Sequence, residues 1–144
     1  GSTFGGNPVS CAVALETIAL LEEGLIENSA ARGDELISTL TAQLAGGGGL
    51  VREVRGKGLM VGVDFESGDI AEAVQWQAFR RGLLVLEAGD SAVRLSPPLV
   101  VTEAEIETAA RLFTESVAHV ARDPQAAIAE AVAGTALDGE HVGG

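Results

Sequence analysis

Within "VREVRGKGLMVGVDF" (Val51–Phe65), Leu59, Val61, Val63 and Phe65 alternate with Met60, Gly62, Asp64 and the following Glu66. A strand sends successive side chains to opposite faces, so this period of two predicts a half-buried strand. Leu50–Val54 predicts a strand before it, and Arg55-Gly56-Lys57-Gly58 a basic, glycine-flanked hinge between the two. On the N-terminal side, Leu36, Ile37, Leu40 and Leu44 share one face of a helix starting near Asn28. Gly24 separates it from an earlier helix that runs to about Glu23. Asn7 is the N-cap of that helix, Pro8 its first residue, and Val9, Ala12, Val13, Ile18, Ala19 and Leu20 lie along it. Gly46–Gly49 read as a flexible turn, because ordering four glycines costs much entropy. With no Lys-Ser/Thr after them they are not a phosphate loop.

On the C-terminal side a helix is expected from Asp69 to Arg81, stopping at Gly82, which is free to take a left-handed terminating conformation. Leu83–Leu86 is expected as a short strand, Gly89, Asp90 and Ser91 as a turn, and Ala92–Leu95 as the returning strand, ended by Pro97 and Pro98. Thr102 and Glu105 make a capping box for a long helix with Ile106, Ala110, Phe113, Val117 and Val120 as its buried stripe. After Asp123 and Pro124 an alanine-rich stretch suggests a short helix, and the glycine-rich end a frayed tail. The order α, α, β, β, α, β, β, α describes an α/β or α+β layer, with helices packed on a small sheet.

The chain has 144 residues, enough for one domain with a moderate core. Its formal net charge of −12, from 9 basic and 21 acidic residues, disfavours nucleic acid as a partner. A GC-rich genome and a salt-adapted host would both produce this acidity. No apolar run is long enough to span a bilayer, and no signal-peptide series is present. A cytoplasmic protein is expected. The single cysteine, Cys11, has no internal partner and sits on a helical pattern, so it reads as a buried small hydrophobe.

Two short motifs could carry chemistry. In Ser2-Thr3-Phe4-Gly5-Gly6-Asn7-Pro8, a hydroxyl and flexible glycines precede a helix N-terminus, where free N–H groups favour an anion. The same residues also make an ordinary loop and N-cap. In Ala92-Val93-Arg94-Leu95-Ser96-Pro97-Pro98, Arg94 interrupts an apolar strand. A guanidinium there needs a partner: either a substrate carboxylate held by its planar fork, or one of the chain's many acids. Lys57, the only lysine, reads as an exposed turn residue. Its exposed, flexible setting argues against a Schiff-base role. His119 and His141 are too far apart, with no ligand pattern, to mark a metal site. Trp76 and Phe79 read as core.

Taken together, "GSTFGGNPVSCAVAL" (Gly1–Leu15), Val51–Phe65, "RGLLVLEAGDSAVRLSPPLVVTEAEI" (Arg81–Ile106) and the helix after them resemble, in order, the C-terminal part of the class III aminotransferases. These are pyridoxal 5'-phosphate (PLP) enzymes of fold type I. The resemblance covers about Gly1–Val120 and is strongest to the 4-aminobutyrate and acetylornithine/ornithine aminotransferase group. It implies that Thr3 hydrogen-bonds the cofactor phosphate of the neighbouring subunit, with Ser2 beside it at the site mouth. It implies that Arg94 holds the substrate carboxylate. Residues 1–49 would then be linker and dimer-interface helices, residues 50–122 the small C-terminal domain, and residues 123–144 a partly disordered tail. The family's Schiff-base lysine, its pyridine-binding aspartate and most of its phosphate site belong to an upstream large domain. The expectation is a fragment of a homodimeric enzyme that moves an amino group from an amino acid or ω-amino acid to a 2-oxo acid such as 2-oxoglutarate. The fragment has no catalytic residue or metal site of its own and is inactive alone. A racemase or aminomutase of the same family, and a stand-alone binding or dimerisation module, are the alternatives.

Overall fold

The computed structural model describes residues 1–45 and 49–139, with side chains as far as residue 134. Helix α1 (Pro8–Leu20) leads through a π-helical turn (Leu21–Leu25) into α2 (Ile26–Leu44). Strands β1 (Val51–Lys57) and β2 (Met60–Phe65) follow, then α3 (Gly68–Arg80), β3 (Leu86–Ala88), β4 (Ala92–Leu95), α4 (Glu103–Arg122) and α5 (Pro124–Gly139). The four strands form one sheet in the order β1-β2-β4-β3, antiparallel throughout. Helices α2 and α3 lie against it, α4 packs on both helices, and α5 packs on α3 and α4. This is the small sheet with packed helices that the sequence implies.

The core follows the predicted periodicities. Val61, Val63 and Phe65 are buried, as are Val93 and Leu95 opposite them on β4. Ile106, Ala110, Phe113, Val117 and Val120 of α4 are buried, and so are Leu36, Leu40 and Leu44 of α2. The capping box forms on both sides: Thr102 N–H donates to Glu105 Oε2 at 2.8 Å, and Glu105 N–H donates to Thr102 Oγ1 at 3.4 Å. The Thr102 N–H, and then the Thr102 hydroxyl, which donates to the same Oε2 at 2.7 Å, hold the Glu105 carboxyl below its usual pKa.

Several expectations are corrected. Strand β1 extends to Lys57, so Lys57 is a strand residue paired with Met60, and the turn is Gly58-Leu59. Gly58 has φ +54°, which favours glycine. The third strand lies at Leu86–Ala88 rather than Leu83–Leu86. Leu83 N–H instead closes the end of α3 on Ala78 O at 2.9 Å, with Gly82 at φ +83°. Gly24 does interrupt the helix as expected: its φ of 121° is non-helical and kinks the backbone between α1 and α2. Cys11 is exposed, because α1 buries none of its residues. Phe79 is 56% exposed and so lies outside the core, whereas half-buried Trp76, on which it stacks with ring centroids 5.8 Å apart, packs against the core as expected. The alanine-rich stretch forms a 16-residue helix, longer than expected, with Ala127 and Ala131 buried. The flexible turn expected at Gly46–Gly49 falls, except for Gly49, outside the described residues, as do His141 and the glycine-rich end. Among the described residues no helix is long and apolar enough to cross a membrane.

Two contacts fix the sheet relative to α2. Gly33 passes so close to the Gly58 carbonyl that a Cβ would overlap it, and Leu59 N–H donates to Ser29 Oγ at 3.3 Å. The Asn28 amide donates to Leu99 O at 2.7 Å and to Val101 O at 3.1 Å, holding the segment that leaves β4.

Candidate functional site

The pleat decides where Arg94 points. Val93 and Leu95 go inward, so Arg94 goes outward, although it lies in an apolar strand. Cross-strand pairing puts Arg55, Gly62, Arg94 and Leu86 in one rung across the whole sheet. Above this rung lies an open groove of about 700 Å³, lined by Arg55, Lys57, Met60, Gly62, Ala92 and Arg94 among others. Every charged residue in that lining is a cation, in a chain whose net charge is −12. Arg55 pairs with Glu53 at 3.0 Å, an exposed contact that contributes little. Arg94 makes no ion pair and no hydrogen bond among the described residues. A structural salt bridge is therefore not what Arg94 forms here. Its guanidinium presents its donors to the groove, beside the apolar Met60 and Ala92.

The second candidate lies at the N-terminus. Gly5 N–H donates to Ser2 O at 3.3 Å and Asn7 N–H to Phe4 O at 3.2 Å, curling residues 2–7 into a turn. Asn7 Oδ1 accepts from Val9 N–H at 3.0 Å and Ser10 N–H at 3.3 Å, and Cys11 N–H donates to Asn7 O at 2.9 Å. Pro8 has no amide hydrogen. The first-turn donors of α1 are thus already used, which corrects the expectation that they would hold an anion. The Ser2 and Thr3 hydroxyls and the backbone N–H of Thr3 carry no such bond and stay exposed. This donor set suits the phosphate of PLP. The cofactor ring would need a lysine, and Lys57 lies on the β1–β2 hairpin.

No hydrogen bond or ion pair joins residues 1–7 to the sheet among the described residues, and α1, which follows them, buries none of its residues. Other polar clusters are satisfied. Glu35, Glu103 and Glu107 place carboxylate oxygens within 4.8 Å of one another, but Arg32 bridges Glu35 at 2.6 Å and Glu103 at 3.2 Å. Gln77, buried on α3, donates to Glu130 of α5 at 3.0 Å and accepts from Arg81 at 2.8 Å. Motif reading did not single out Gly62 in the groove floor or the Asn28 clamp. A glycine inside an alternating strand was the available signal for the first.

The Aminotransferase class-III family model matches residues 1–117, and the chain belongs to that family. The acetylornithine aminotransferase of Archaeoglobus fulgidus is 43% identical over 114 residues, covering 78% of this chain and 28% of that protein. The ornithine aminotransferase of Bordetella pertussis is 41% identical over 123 residues, covering 84% of this chain and 29% of that protein. The fold superposes on ornithine aminotransferase from Toxoplasma gondii with a TM-score of 0.80 at 31% identity, covering 87% of this chain and 30% of that one. That structure has partial occupancy of PLP at its active site. The architecture is thus a portion of the fold type I aminotransferase, and the chain spans less than a third of the length of these relatives.

Proposed function

We propose that the intact protein is a PLP-dependent aminotransferase that moves an amino group from an amino acid or ω-amino acid to a 2-oxo acid such as 2-oxoglutarate. The names of its relatives favour an ornithine-type donor. The observation that carries this reading is Arg94: an outward, unpaired guanidinium in a groove whose charges are all cationic. Its planar fork suits a carboxylate, and holding that carboxylate orients the reacting carbon. PLP, when bound, supplies the electron sink for the carbon that loses its proton. Thr3 and Ser2 donate hydroxyl hydrogen bonds to the cofactor phosphate. The exposed apolar side chains of α1, next to this turn, favour a homodimer in which Thr3 serves the neighbouring subunit's site.

Residues 1–49 would be the arm that carries Thr3, residues 50–122 the small domain that carries Arg94, and residues 123–144 a tail. The arm's apolar α1 supports a role as an interface element. Lys57, paired with Met60 on the hairpin, is poorly placed to meet a cofactor at Thr3, so this chain alone would not turn over. Arg94→Lys in the complete enzyme tests the reading. The Michaelis constant for 2-oxoglutarate should rise, because a point charge replaces a bidentate fork. An unchanged constant would remove Arg94 from the site.

A further inference from the structure

Two glycines lie inside the strands, and the structure accounts for only one. A Cβ on Gly56 would fall 2.5 Å from Met60 O and 3.0 Å from Val61 Cα, so β1 can approach β2 there only without a side chain. Gly62 is different. A Cβ on it would meet nothing closer than Arg55 O at 4.0 Å, and its φ is not positive. Neither backbone conformation nor packing within the chain asks for glycine at this position. Glycine in a strand interior costs about 0.5–1 kcal/mol relative to alanine, and such a residue often marks close approach by a ligand.

The neighbours of Gly62 indicate which ligand. It pairs with Arg55 on one side and Arg94 on the other, on the outward face. With strands about 4.8 Å apart, the two arginine Cα atoms stand about 10 Å apart with bare backbone between them. Met60 and Ala92 line the groove two residues along their strands from this rung, one on either side of it. This shape suits a carboxylate on the Arg94 fork with its hydrocarbon arm lying over Gly62.

We infer that Gly62 is a specificity-determining residue of the carboxylate groove: its missing side chain reserves the space that the substrate's arm occupies beside Arg94. The inference rests on the reading of Arg94 as the carboxylate anchor. A branched side chain at position 62 would stand in that space and displace the arm without disturbing the strand. Val favours strands, so the substitution suits the backbone.

The test is Gly62→Val in the complete holoenzyme, with Gly62→Ala and Arg94→Gln alongside. For Gly62→Val the Michaelis constant for 2-oxoglutarate should rise about tenfold or more, as expected when a pocket is mis-sized by one or two methyl groups. Its calorimetric affinity should fall by a similar factor. PLP retention should stay as in the parent and the melting temperature should not fall, and the effect of Gly62→Ala on 2-oxoglutarate should lie between. If Arg94→Gln weakens 2-oxoglutarate and Gly62→Val does not, the inference about Gly62 is wrong and the carboxylate reading stands. If neither substitution changes 2-oxoglutarate binding, the carboxylate reading itself fails. A Gly62→Val enzyme that loses stability or PLP while keeping its affinity for 2-oxoglutarate would overturn the inference too, since position 62 would then accommodate protein rather than substrate.

Discussion

Helices α1 and α4 obey the same local rules and end in opposite surroundings. Each has a side-chain N-cap, Asn7 for α1 and Thr102 for α4. α4 has a clear apolar stripe and buries Ile106, Ala110, Phe113, Ser116, Val117 and Val120. α1 carries Val9, Val13, Leu15, Ile18 and Leu20 around its circumference, and all of them are exposed. A helix that is apolar all round has the composition of a buried helix. For α4 this chain supplies the burying surface; for α1 it does not. Local chemistry makes the helix, and only a second surface makes it part of a core.

The contrast breaks if the two helices respond alike to substitution. The largest effect is expected for Phe113→Ala, which empties a fully buried site on α4 and should cost about 4 kcal/mol in urea unfolding. Val13→Ala on α1 should stay within about 0.5 kcal/mol. Equal losses would mean that α1 shares the core. The caps give a finer comparison. Thr102→Ala should lower stability by about 1 kcal/mol, whereas Asn7→Ala should leave the cooperative transition in place and appear only as faster amide exchange in α1.

Glu105 gives a smaller, pH-dependent effect. Its folded pKa lies below its ordinary value, so its contribution is complete above that ordinary value and is lost as pH falls through the lowered one. Thr102→Ala should flatten this acid limb, and because Glu105 is exposed, added salt should shrink it as well. The least effect on stability is expected for Thr3→Ala, which touches no packed surface. Its consequence should instead be weaker PLP retention in the complete enzyme, read by absorbance after dialysis. Equal retention would separate Thr3 from the phosphate.

What could be read from residues alone follows the same division. The α4 stripe, its capping box and the β2 alternation are encoded within a few residues, so sequence spacing reveals them. The outward sense of Arg94 lies in its alternation with Val93 and Leu95, but its neighbours Gly62 and Arg55 needed the register of β4 against β2 and of β2 against β1, which no local pattern carries. Leu83–Leu86 looked like a strand because it is apolar, but Leu83 N–H was taken by the end of α3. Cys11 and Phe79 have the residue type of a core position, but residue type says how apolar a residue is and not where its partner lies. The motif resemblance named Thr3 and Arg94, yet gave no reason to single out Gly62. That reason appears only when the space above its backbone can be compared with the space above Gly56.

The Asn28 clamp also has a mechanical consequence. Its amide spans 71 residues of sequence to grip Leu99 O, and reaches Val101 O as well. The stem of α2 and the segment leaving Arg94 are therefore coupled like parts of one lever. Between that lever and the turn carrying Thr3, the helical backbone departs from its regular path at Gly24. A rotation about Gly24 would swing Thr3 as the tip of an arm while Arg94 stayed fixed to the lever, changing the distance between the two without altering a single contact inside the sheet.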